Sequence, residues 1–76
     1  MRVKLTPRAQ VEFDRLGPAE QRTILRAVRL EALRIRRDRP GRFGYATIRL
    51  AEPATVLRIQ LSLRGALVVS IHRPSG

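Results

Sequence analysis

The sequence predicts an α+β domain: a short N-terminal strand, a two-helix hairpin, then a three-stranded antiparallel meander, with the helices packed on one sheet face. Three observations predict it. Apolar residues recur at helical spacing between Thr6 and Arg36, and at alternating spacing from Ile48 onward. The chain has 76 residues, enough for one domain (residues 1–76) that buries only about 60% of the surface its unfolded form exposes. It has no cysteine, so no disulfide framework substitutes for a core, and the composition points to a reducing, cytoplasmic setting.

Residues 2 to 5 read as the first strand. Thr6-Pro7 then opens a helix, with threonine as N-cap and proline at the first helical position, where its missing N–H costs nothing. Ala9, Phe13 and Leu16 give this helix one apolar face. Gly17-Pro18 ends it, the glycine expected in the left-handed cap conformation and the proline opening a second helix from about Pro18 to Arg36. Ile24, Val28, Ala32 and Ile35 form its inner stripe, with Leu25 and Leu33 widening it, while Arg22, Arg26 and Arg29 lie on another face.

Arg37 to Gly44 holds a Pro-Gly turn and no periodic apolar signal, so it is a loop. Ile48 and Leu50, flanking Arg49, form a short strand before Pro53. Leu57, Ile59, Leu61 and Leu63 alternate with Arg58, Gln60, Ser62 and Arg64 in the next. Leu67, Val69 and Ile71 alternate with Val68, Ser70 and His72 in the last. A three-residue turn Leu63-Arg64-Gly65, with a left-handed glycine, pairs Leu61 with Leu67, Ile59 with Val69, Leu57 with Ile71, Arg58 with Ser70 and Val56 with His72. Arg58 and His72 become diagonal neighbours on the polar face, beside Tyr45, Thr47, Arg49, Gln60 and Ser70.

Sixteen basic against six acidic side chains give a net charge of +10. The 43% hydrophobic content is that of a folded body, so the charge belongs to a surface that meets a polyanion, nucleic acid first and an acidic protein next. No apolar run approaches the roughly 18 residues of a membrane span, and the basic N-terminus meets Pro7 too soon for a signal-peptide core. The reading is a soluble protein that stays in the cell. One histidine and scattered carboxylates supply no metal site, and no cofactor is expected.

The order of elements, together with Val3-Lys4-Leu5-Thr6-Pro7-Arg8-Ala9, Leu16-Gly17-Pro18, Val56-Leu57-Arg58-Ile59 and Leu67-Val68-Val69-Ser70-Ile71-His72-Arg73, resembles the RelE/ParE toxin superfamily. These are the small basic toxins of bacterial toxin–antitoxin pairs, and the resemblance implies a RelE-like fold and an acidic antitoxin as partner. RelE-like members cleave mRNA on the ribosome; ParE-like members poison DNA gyrase without the nuclease residues. By position, Arg58 matches the arginine of the family's strand motif, with Leu57 and Leu61 where aromatics are usual. His72-Arg73 matches its C-terminal His-Arg segment, and Arg49, Arg39 and Arg42 fall where several members are basic. Many of the nucleases continue to a catalytic tyrosine, which this sequence lacks, and that departure weighs against cleavage.

The chemistry can be stated from the residues. Metal-free RNA cleavage needs the 2′-hydroxyl deprotonated, the phosphate's growing charge stabilised and the leaving oxygen protonated. Arginine's fork suits the second task, and histidine the first or third. Arg58 and His72 are the candidate catalytic pair. Arg49, Arg39, Arg42, Arg73 and Tyr45 are candidates for RNA or phosphate contact, with Tyr45 and Glu52 the only nearby second proton-transfer groups. Three readings follow: a metal-independent endoribonuclease acting on ribosome-bound mRNA, a gyrase-directed toxin, and a basic RNA- or ribosome-binding module.

Overall fold

Thr6 shows how the chain begins to fold. Its hydroxyl accepts the Ala9 N–H at 3.2 Å and so caps the first helix, while donating to the Val69 carbonyl at 2.8 Å. One side chain thus starts a helix and ties it to the far end of the sequence. The computed structural model describes residues 2–39, 41, 43–51 and 54–73. In chain order they form β1 (Arg2–Leu5), α1 (Pro7–Asp14), α2 (Pro18–Asp38), β2 (Gly44–Ala51), β3 (Ala54–Leu61) and β4 (Gly65–His72).

The architecture is the expected α+β one. The strands make a single sheet ordered β1-β4-β3-β2, with β2, β3 and β4 antiparallel and β1 parallel to β4. A parallel neighbour needs a crossover, and the helical hairpin supplies it. The helices cover one face, where Ala9, Leu16, Ile24, Val28 and Ala32 meet Ile48, Leu57, Ile59, Leu61, Ala66, Val68 and Ile71. Leu57, Ile59, Val28 and Val68 are the largest fully buried side chains, each contributing about 1.5–3 kcal/mol by leaving water.

The helix junction departs from expectation. Gly17 has φ −70° and serves as the N-cap of α2, so it is not left-handed. The first helix ends at a right-handed Arg15, and the Phe13 carbonyl accepts both the Leu16 N–H at 3.1 Å and the side-chain amide of Gln21 at 2.9 Å. Leu33 also departs: it is 55% exposed and does not widen the core stripe, as does Leu30 at 62%. Both lie on the side of α2 opposite Ile24, Val28 and Ala32, and a helix packed on a sheet from one side buries one stripe only.

The final hairpin is half as expected. Val56 pairs with His72, Leu57 with Ile71 and Arg58 with Ser70, but beyond a bulge Ile59 pairs with Val68 and Leu61 with Ala66. Val69 is the extra residue. The core residues of β4 are therefore Ala66, Val68 and Ile71, and Leu67 and Val69 belong to the opposite face. Gly65 is not the left-handed residue of a three-residue turn; the positive-φ glycines among the described residues are Gly41 and Gly44. It lies in β4 opposite Arg2, and a Cβ there would stand 2.0 Å from the Arg2 carbonyl oxygen. Close approach of β1 is what requires the glycine. The turn is instead held by Arg36 of α2, whose guanidinium donates to the carbonyls of Ser62 at 2.6 Å, Gly65 at 3.2 Å and Leu63 at 3.4 Å.

Candidate nucleic-acid interface

The bulge decides which side chains reach solvent. Were β4 regular, inward Ala66 and Val68 would be followed by inward Ser70 and His72. One inserted residue reverses the phase, so Ile71 enters the core and Ser70 and His72 emerge on the open face. The bulge also frees the Val69 carbonyl from the ladder, and Thr6 takes it. Thr6 therefore supports the backbone that presents His72.

On that face Arg58 stands between Thr47 of β2 and Ser70 of β4, and in the adjacent row Arg49 and His72 flank Val56. Arg58 is thus a diagonal neighbour of both Arg49 and His72, at about 7–8 Å on the sheet grid. All three are exposed, and none makes an ion pair or hydrogen bond with another described residue. Two guanidinium forks and an imidazole, with no carboxylate paired to them among the described residues, are groups that can hold an anion such as a phosphate.

The other candidates are not gathered there. Tyr45, 67% exposed, lies four residues up β2 from Arg49, about 14 Å along the strand. It lines a groove of about 480 Å³ between β2 and the end of α2, with Phe43, Thr47, Arg34 and Arg39. Arg34 is already engaged there, paired with Glu31 and, at 3.4 Å, with Asp38. The hydrogen bond from Arg34 holds the Glu31 carboxyl below the ordinary value of 4.5. Arg73 turns toward α2 and pairs with Glu20 at 3.1 Å, which draws it away from the open face. Arg42 and Glu52 lie outside the described residues.

Sequence reading missed Arg2 and Lys4, which the β1 register places on the same open face, beside Gly65 and Leu67. Their alternation with Val3 and Leu5 was visible; the neighbour that fixes which face it serves was not. Among the described residues no cluster of three or more potential ligands could hold a metal ion, and no helix is long and apolar enough to cross a membrane.

The sequence matches no protein-family model and no curated protein. In structure, the chain is similar to a chain in the crystal structure of the intact E. coli RelBE toxin–antitoxin complex, with a TM-score of 0.68 at 20% identity, over 97% of this chain and 96% of that one. The class is therefore a small basic α+β domain that shares the fold of that chain. At that identity the likeness establishes the fold, nearly end to end, and leaves the activity to the residues on its open face.

Proposed function

We propose that this protein is the toxin of a type II toxin–antitoxin pair and acts as a metal-independent endoribonuclease on ribosome-bound mRNA, held inactive by an acidic antitoxin. The observation that carries the reading is the uncovered sheet face on which Arg58, Arg49 and His72 are neighbours with no carboxylate among the described residues to neutralise them. The fold shared with a chain of a toxin–antitoxin complex supports the same reading.

In this reading the RNA lies across β3 and β4. Arg58 holds two oxygens of the scissile phosphate, an interaction that strengthens as charge grows on them in the transition state. The 2′-hydroxyl attacks phosphorus as its proton leaves, the bond to the 5′-oxygen breaks, and that oxygen takes up a proton. His72 serves one of these two transfers, a role typically worth ~10²–10⁴ in rate. Arg49 shares the phosphate's charge from the β2 side, and Tyr45 offers a ring on which a flanking base stacks.

A second reading, a gyrase-directed toxin of the same fold, has its own observation: Tyr45, the other sequence candidate for proton transfer among the described residues, stands four residues along the sheet and two strands away from His72. Growth arrest measured together with primer-extension mapping of cellular mRNA separates the two. Cuts in translated frames that vanish in Arg58→Ala and His72→Ala support the nuclease. Arrest with gyrase-dependent DNA breaks and no mRNA cuts transfers the assignment.

A further inference from the structure

A second groove, of about 390 Å³, opens on the same sheet face at the hairpin end, away from Arg58. Arg2 and Lys4 of β1, Gln60 of β3, Ser62 and Arg64 at the turn and Leu67 of β4 line it. The strand register builds it: Lys4 lies beside Leu67, Leu67 beside Gln60, and Arg2 beside Gly65, which adds no side chain of its own. Among the described residues three cations surround this groove and no carboxylate does. None of the three makes an ion pair or hydrogen bond with a described residue.

The contrast with the groove beside α2 is informative, because there Arg34 is paired with Glu31 and Asp38. Three like charges around an unpaired concavity raise its potential and concentrate anions in it. Its other lining is specific too. Leu67 gives an apolar floor for the face of a ring, and Gln60 and Ser62 give neutral hydrogen-bonding groups, a mixture that suits a nucleotide better than a carboxylate-rich peptide. Gln60 of the groove is two residues from Arg58 on the same face of β3.

We propose that this groove is a second phosphate-binding subsite, in which Arg2, Lys4 and Arg64 hold single-stranded RNA upstream or downstream of the phosphate at Arg58. This rests on the RNA reading given above. Two strand spacings and two residues separate Lys4 from Arg58, about 12 Å on the sheet grid. That is three to four stacked nucleotides at ~3.4 Å each. The subsite is therefore felt by an oligonucleotide that spans this distance and not by a dinucleotide.

The test is fluorescence anisotropy of a labelled dinucleotide and a labelled octanucleotide, titrated with the parent, Arg58→Ala, Arg64→Gln and the triple variant Arg2→Gln/Lys4→Gln/Arg64→Gln, across a salt series. With the octanucleotide the parent's log affinity should fall against log salt at a slope of roughly −3 to −4. The triple variant should show roughly −1 to −2, each lost phosphate contact removing ~0.7. Between 50 and 200 mM salt the parent then loses ~60–250-fold in affinity and the triple variant only ~4–16-fold. Arg64→Gln, an exposed turn change that keeps both strands intact, should remove ~0.7 of slope alone. The dinucleotide should bind the parent and the triple variant equally and should be weakened by Arg58→Ala. A triple variant that keeps the parental slope on the octanucleotide, while Arg58→Ala weakens it, overturns the subsite and leaves the RNA reading standing. A parent with no salt-dependent RNA binding overturns both. Loss of poly-glutamate binding in the triple variant, with RNA affinity unchanged, assigns the groove to an acidic protein instead.

Discussion

Arg58 owes its position to β3, where inward Leu57 and Ile59 leave it no direction but outward. Because it touches nothing in the core, Arg58→Ala should keep the folding free energy within about 1 kcal/mol of the parent, and so should His72→Ala. Each should still lower mRNA cleavage by ~10²-fold or more. Arg58→Lys should restore little, since a point charge cannot reproduce a two-pronged contact. Primer extension, with thermal melting as the folding control, reads all three. Glu31 offers a separate pH test. Its carboxyl is held below 4.5 in the folded protein by the Arg34 hydrogen bond, so its stabilising contribution is complete above that value and is lost as pH falls through the lowered folded pKa. The melting temperature should therefore drop below about pH 4.5, and drop less in Glu31→Gln. An identical acid limb in both proteins would show that the pair carries no net stability, as exposed pairs often do.

At the scale of elements, the order of strands and helices was legible because each helix starts with Thr or Gly before Pro and the sheet residues alternate. What alternation could not give was the phase of β4. The run Ala66-Leu67-Val68-Val69 is apolar on both faces, so a bulge inside it leaves no break in the pattern. The expected pairing reached the right face for His72 by assigning Leu67 and Val69 to the core, where the structure puts Ala66 and Val68. Gly65 misled for a related reason, since a glycine after a turn reads as left-handed unless the approach of β1 is known. Two substitutions test this anatomy. Gly65→Ala places a methyl on the Arg2 carbonyl, and β1 must move. A loss of ~1–3 kcal/mol is expected in chemical denaturation, and parental stability would show that β1 approaches less closely. Thr6→Val removes both the cap and the bond to Val69. Stability should fall by ~1–2 kcal/mol, and RNA cleavage should fall beyond what the folded fraction explains, because the bulge that turns His72 outward loses its support. Cleavage that tracks only the folded fraction would confine Thr6 to a structural role.

For the whole molecule, the decisive quantity is charge. Six acids cannot neutralise 16 bases, and several of those acids are used locally: Glu12 with Arg15, Glu31 and Asp38 with Arg34, Glu20 with Arg73. Among the described residues the open sheet face keeps its arginines unpaired, and the outer side of α2 combines Arg22, Arg26 and Arg29 with exposed Leu30 and Leu33. An acidic amphipathic partner of the kind proposed above would complement both kinds of surface, and by binding the folded chain alone it would stabilise it. At a hundredfold excess over its Kd it adds ~2.7 kcal/mol to stability, which for a domain of this size raises Tm by ~11–22 °C. The same linkage decides where it sits. If the partner covers the sheet face, it and RNA exclude each other, and each must weaken the other's binding by the same factor. If an acidic protein is encoded beside this chain, titrating it into a protein–octanucleotide complex should therefore release the RNA in step with the rise in Tm. A ternary complex with unchanged RNA affinity would place the partner on the outer side of α2, and in the proposed toxin reading neutralisation would then have to act by keeping this protein from the ribosome, leaving the RNA face open.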